Sequence, residues 1–146
     1  MKHCQQGKKL SQIFKKLTYK TSNKIFLDIT QDIKNEIIKC SINNGILNLS
    51  VLHTSCSLLV QENADISVQK DIRIFLNEIA PEKNYFHDSE GPDDMPAHLK
   101  TLLTQTHLSF SFKNNELILG SWQGIFLLEH RISERMRFIQ LHILGD

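Results

Sequence analysis

The most regular alternation in the chain begins at Ile46. Leu47, Leu49 and Val51 fall on one face of an extended segment and Asn48 and Ser50 on the other, which predicts a strand with one buried side. His53 continues the apolar face past its end. A second strand is expected over residues 57–61, and residues 25–29 read as a short strand nearer the start. Further on, Leu108, Phe110 and Phe112 alternate, Asn114-Asn115 can turn a hairpin, and apolar residues follow at 117–119, 125–130 and 135–144.

Between these segments the period lengthens. Ile33, Ile37, Ile38 and Ile42 recur at helical spacing, with Thr30 as expected N-cap, Asp32 in the first turn and a left-handed stop at Asn43-Asn44-Gly45. Val68, Ile72, Phe75, Leu76 and Ile79 mark a second amphipathic helix, capped by Asp65 and ended by Pro81. Residues 82–95 carry Glu82, Asp88, Glu90, Asp93 and Asp94 with little periodicity and read as a surface loop whose acidic run is solvated. Pro96 opens a short third helix with Leu99, Leu102 and Leu103 on its apolar side and His98 in its first turn. Strands close in sequence with helices segregated between them predict an α+β domain containing antiparallel sheet.

The chain has 146 residues, 40% apolar and 23% charged, which suits one packed domain. Lys plus Arg (17) nearly balances Asp plus Glu (16), so no cationic field points to nucleic acid. Lys2, Lys8, Lys9, Lys15 and Lys16 lie among Gln and Ser and read as a solvated arm, of which residues 1–10 are the core. No apolar run approaches the length of a membrane span and no secretory leader is evident, so a cytoplasmic protein is expected. Cys4, Cys40 and Cys56 lack CxxC spacing and fit reduced thiols, the latter two as small core residues.

Against that background the polar residues that interrupt the pattern become candidates for chemistry. His53-Thr54-Ser55 puts an imidazole and small hydroxylated residues at a strand end, either a ligand site or a core histidine bonded to a carbonyl. Glu62, Asn63 and Asp65 follow the next strand, where carboxylates can bind a hard cation or take a proton; helix capping is the alternative for Asp65. His87, in the acidic loop, and His98 could converge on one divalent metal, although their spacing by itself fixes no geometry. Trp122 and Gln123 stand between Gly120 and Gly124, with packing of the indole as the plainer reading. Glu129 and Arg131 form either a site pair or a surface salt bridge. Together His53, Glu62, Asp65, His87, His98 and Glu129 are expected to share one polar pocket.

Taken in order, His53-Thr54-Ser55 with Glu62-Asn63-Ala64-Asp65, Asp94-Met95-Pro96-Ala97-His98-Leu99-Lys100, Leu119-Gly120-Ser121-Trp122-Gln123-Gly124-Ile125 and Glu129-His130-Arg131 closely resemble the YjbQ family, also called secondary thiamine-phosphate synthase. The resemblance runs from about Phe26 to Ile143. It implies a mixed, mostly antiparallel β-sandwich with three flanking helices, a homotrimer, and polar blocks meeting in a cleft near a subunit boundary. It also implies a low thiamine phosphate synthase activity that joins hydroxymethylpyrimidine diphosphate to thiazole phosphate with loss of pyrophosphate. By position, His53, Glu62, Asp65, His98 and Glu129 are then catalytic residues. Thr54, Ser55, Asn63, Trp122, Gln123 and Arg131 become substrate contacts, with Trp122 stacked on the pyrimidine and Arg131 neutralising an anion. His53, His87 and His98 become metal ligands, for magnesium on the leaving group or zinc at the imidazoles. The alternative within the same resemblance is a trimeric protein that binds a metal or a small phosphorylated ligand without thiamine synthesis. The chain departs from the usual pattern at Thr104, where Gly is common, and at Ser111 and Asn115, where Pro and Gly are common.

Overall fold

The computed structural model describes residues 9–146. Most of the expected arm (residues 1–8), including Lys2, Lys8 and Cys4, lies outside the described residues. The elements run β1 (Ser11–Thr21), β2 (Phe26–Asp28), α1 (Thr30–Lys39), β3 (Gly45–Val51), β4 (Cys56–Glu62), α2 (Ile66–Ile79), α3 (Asp94–Leu103), β5 (His107–Lys113), β6 (Glu116–Leu117), β7 (Gln123–Glu129) and β8 (Arg135–Gly145). They form a five-stranded sheet, β1-β8-β3-β5-β6, and a three-stranded sheet, β2-β7-β4. Every strand pairing is antiparallel. The α+β class and the antiparallel sheets are as the sequence predicts.

One core joins the two sheets. Leu47, Leu49 and Val51 of β3 and Ile139, Leu141 and Ile143 of β8 meet Cys56 and Leu58 of β4, Ile125 and Leu127 of β7, and Ile33 and Ile37 of α1. Burial pushes the Cys56 thiol up to about 12, which leaves it an inert core group. Strand β7 is buried on both faces, with residues of α2 and α3 gathered near its Glu129 end, and so its apolar run is unbroken rather than alternating.

Several local expectations are corrected. The segment that contains Lys15 and Lys16 is not an arm but the long edge strand β1, paired with β8 from Ser11↔Gly145 to Thr21↔Arg135. Its inward face is only half-buried, so its charges mask the alternation. Thr30 is the first residue of α1 rather than its cap; Asp28 Oδ1 accepts its N–H at 2.9 Å, and Thr30 Oγ1 accepts the Ile125 N–H at 2.8 Å. The helix ends at Lys39, and Gly45 belongs to β3, where a Cβ would lie 2.1 Å from the Leu144 carbonyl oxygen. Close strand approach, not a left-handed turn, requires that glycine. The hairpin at Asn114-Asn115 is as expected, with φ 53° and 60°.

Helix α3 starts at Asp94, which puts His98 in its second turn. Asp94, Pro96, Ala97, Lys100 and Thr101 form its buried side, while Leu102 and Leu103 face outward. On α2 only Leu76 is buried; Ile66, Ile74, Phe75 and Ile79 remain exposed. Among the described residues no helix is long and apolar enough to cross a membrane.

Candidate metal centre and adjoining cavity

His53 stands on the turn between β3 and β4. Its Nε2 accepts the Phe138 N–H at 2.8 Å, and its ring stacks on Phe138 at 5.5 Å. Burial, and then the Arg137 guanidinium, holds its imidazole below the ordinary histidine range. The ring is therefore neutral at pH 7, with its proton on Nδ1. One residue on, the Thr54 carbonyl lies 2.9 Å from His98 Nδ1. A carbonyl can only accept, so His98 carries a proton on Nδ1 and turns Nε2 away from Thr54.

That Nε2 faces Asp94. His98 Nε2 lies 3.7 Å from Asp94 Oδ1 and His87 Nε2 lies 2.7 Å from Asp94 Oδ2, while the two imidazoles meet edge to face at 5.3 Å. One ligand atom from each of His87, Asp94 and His98 falls within 4.8 Å of the others. Two imidazoles and one carboxylate at this spacing suit a zinc-like divalent cation and leave a coordination position for a further ligand. The hydrogen bond from His98 to the Thr54 carbonyl is the outer contact that such a ligand histidine needs to fix its orientation.

Arg131 lies beneath this group, almost wholly buried. Its Nη1 contacts Asp94 Oδ1, its Nε lies 3.3 Å from Asp93 Oδ2, and its Nη2 donates to the Glu90 carbonyl at 2.7 Å. Asp93 Oδ2 also accepts the Ile132 N–H at 2.8 Å. Burial alone would raise the Asp93 carboxyl, but these donors outweigh it and hold it low. The acidic run is thus an anchored knot at its Asp93-Asp94 end rather than a solvated stretch. Two buried carboxylates against one guanidinium give the centre a net negative charge, which favours a cation. Beside it opens a cavity of about 420 Å3 lined by His53, Thr54, His98, Thr101, Thr104 and His107, among others. His53 and His98 share this volume.

Glu129 lies elsewhere. It is fully buried and accepts from Thr21 Oγ1, Arg137 Nε, Arg137 Nη2 and the Arg131 N–H at 2.6–2.8 Å. Burial pushes its carboxyl up, yet the donors, Arg137 first, keep it below the usual carboxylate range. Arg137 also donates to Ser55 Oγ at 3.1 Å, so this pair braces the turn that carries His53. Glu129 and Arg131 form neither of the two arrangements expected for them: each has its own buried partner.

The remaining candidates sit far away in the same chain. Register pairs Cys56 with Glu129 at one end of the β4–β7 ladder and Glu62 with Gln123 at the other. Six residue steps separate the ends, about 20 Å at roughly 3.3 Å per residue. Asn63 N–H donates to the Trp122 carbonyl at 3.1 Å, Gln123 Oε1 accepts the Gly120 N–H at 2.7 Å, and Asp65 caps α2 by accepting the Ser67 N–H at 2.8 Å. Trp122 does not pack: it is 66% exposed.

Residues 15–146 match the family described as UPF0047 protein YjbQ-like. The chain belongs to that family. It is 38% identical over 132 residues to a UPF0047 protein of Synechocystis, covering 89% of this chain and 90% of the relative. It is also 38% identical to the UPF0047 protein YjbQ of Escherichia coli O157:H7, covering 90% and 97%. A crystal structure of a YbjQ-like protein from Sulfolobus solfataricus superposes with TM-score 0.87 at 24% identity, covering 94% of this chain and all of that one, which bears on the fold alone. A crystal structure of a conserved hypothetical protein from Thermus thermophilus matches at TM-score 0.75 and 36% identity, over 86% and 96%.

In this YjbQ-like chain the departures from the family pattern are accommodated locally. Thr104 follows α3 with φ −109°, which any residue adopts; its hydroxyl donates to the Lys100 carbonyl at 2.7 Å and lies 2.6 Å from Ser57 Oγ. Asn115 supplies the positive φ that Gly would, and Ser111 is an exposed position of β5. Sequence reasoning missed Asp94 as a candidate ligand and Arg137 as a brace. For Asp94 the signal was its i,i+4 spacing to His98 on one helix face.

Proposed function

We propose that this chain is a metal-dependent transferase of the thiamine phosphate synthase type, with His87, Asp94 and His98 as metal ligands and the adjoining cavity as the substrate pocket. The observation that carries this reading is the convergence of three ligand atoms, with the His98 ring oriented by the Thr54 carbonyl, at the mouth of a cavity large enough for a small heterocycle. A bound divalent ion would hold the diphosphate leaving group and offset its developing charge. In the transfer, the bond from the pyrimidine methylene carbon to diphosphate oxygen breaks and a bond to the thiazole nitrogen forms. His53, neutral and protonated on Nδ1, serves as a hydrogen-bond donor to the substrate rather than as a third imidazole ligand. Thr54 and the Thr101 and Thr104 hydroxyls supply further polar contacts. Glu129 acts as a brace for the His53 turn through Arg137.

Glu62, Asn63, Asp65, Trp122 and Gln123 join the site from a neighbouring copy in a homotrimer. The exposed Phe75 and Ile79 on α2 and the exposed Trp122 support such an assembly, since clustered apolar surface marks a contact. The free thiols of Cys40 and Cys56 fit a reducing, cytoplasmic setting. Purified protein given both thiamine precursors and magnesium should form thiamine phosphate, and His98→Ala should abolish it. A second reading has its own support: among the described residues no lysine or arginine lines the cavity and Arg131 is already neutralised, an arrangement that fits a metal-bound, weakly charged ligand held without turnover. In that case calorimetry detects zinc binding lost in His98→Ala, while no product forms under any metal.

A further inference from the structure

Between β2 and the helices α2 and α3 lies a second, much smaller cavity of about 10 Å3, room for one water-sized occupant. Three cations from three parts of the chain line it: Lys24 just before β2, Arg73 on α2 and Lys100 on α3, with Phe26 and His130 among its walls. Compensating charge is short. Lys24 pairs with the half-exposed Glu82 at 2.8 Å, and Glu129 at the edge is saturated by Arg137 and Thr21. The Lys100 ammonium, on a residue 4% exposed, donates to the neutral Asn77 Oδ1 at 2.6 Å. The Arg73 guanidinium lies over the Phe26 ring at 5.2 Å, and its buried Nε has no hydrogen-bond partner among the described residues.

His130 adds no counter-charge. It is buried and neutral, with Nε2 lying 2.8 Å from Ser57 Oγ. Buried charges in folded proteins are paired, and a buried N–H without an acceptor marks a missing partner. Burial, and then Lys24, press the Lys100 ammonium toward its neutral form, outweighing the opposing pull of Glu82 and Asp93, and a negative occupant would relieve that strain.

We propose that this nook is a binding site for a monatomic anion of chloride size, held by Arg73, Lys100 and Lys24. Its volume excludes phosphate and diphosphate, so it is distinct from the substrate cavity in both position and ligand class. Bromide serves as the probe because it replaces chloride and scatters anomalously. Crystals soaked in bromide should show an anomalous peak between Arg73 Nε and Lys100 Nζ. In solution, exchanging chloride for gluconate at constant ionic strength should lower the melting temperature, and added chloride should restore it saturably. Arg73→Gln and Lys100→Met should each weaken that chloride response at least tenfold; Lys24→Met, at the more accessible side, repeats the test should Lys100→Met fail to fold. Bromide peaks elsewhere on the molecule but none in the nook would overturn the proposal, as would a chloride response of equal size in all variants.

Discussion

Replacing Glu129 by glutamine separates a bracing role from a chemical one. Glutamine keeps the shape and one acceptor oxygen but removes the charge, and Arg137, itself 4% exposed, becomes an uncompensated buried cation. Breaking one side of a buried pair costs about 3–5 kcal/mol. For a chain of this size each kcal/mol moves the melting temperature by about 2–4 °C, so a fall of roughly 6–20 °C is expected. Urea unfolding followed by circular dichroism measures the free-energy loss, with the midpoint lowered and the slope unchanged. A second arm removes both charges: Glu129→Leu with Arg137→Met replaces the pair with apolar groups of similar volume and should recover most of the lost stability, since such swaps are often neutral or stabilising. Metal affinity should change little in Glu129→Gln, because none of the three ligands bonds to Glu129. A stability loss below about 1 kcal/mol, or a double variant no better than the single, would refute the reasoning.

Other outcomes follow from the same contacts. Asp94→Asn should reduce zinc affinity by at least tenfold in calorimetry, and unchanged affinity would exclude it as a ligand. His130 is held at about 3 by burial and then by Lys100, well under the ordinary value of 6.5. Its folded value is depressed, so the stability it contributes is complete above pH 6.5 and declines as pH falls from there toward about 3, at up to about 1.4 kcal/mol per pH unit. His130→Asn should flatten the stability profile across that window, and a parallel profile would show that His130 is not the titrating group. Gly45→Ala drives a methyl into the Leu144 carbonyl and should prevent soluble expression or open this end of the β3–β8 pairing, seen as loss of amide protection at Ile46 and Leu47.

Legibility in the sequence tracked how one-sided each element's burial is. Strand β3 was plain because Leu47, Leu49 and Val51 are buried while Asn48 and Ser50 are only partly covered. Strand β1 was hidden because Lys15 sits on its inward face, where it reaches Glu36 of α1 rather than the core. The apolar stripes of α2 and α3 were read correctly as stripes, yet in this chain Phe75, Ile79, Leu102 and Leu103 stay exposed, since a stripe says that a face is sticky and not what covers it. At the site, His87 and His98 were legible as a pair. Asp94 was not, because an acidic run resembles solvated loop until Arg131 is known to be buried beneath it. Arg137 lay within a strand pattern, where only the tertiary fold shows that a charged side chain points inward toward Glu129.

The β4–β7 ladder is a ruler about 20 Å long, longer than a heterocyclic phosphate. Its two decorated ends cannot grip the same small molecule from within one polypeptide. If the proposed site takes residues from both ends it is shared between copies, and a mixture of His98→Ala and Trp122→Ala chains, each inert alone, should then regain part of the proposed turnover once subunits exchange; a mixture as inert as its parts would count against a shared site.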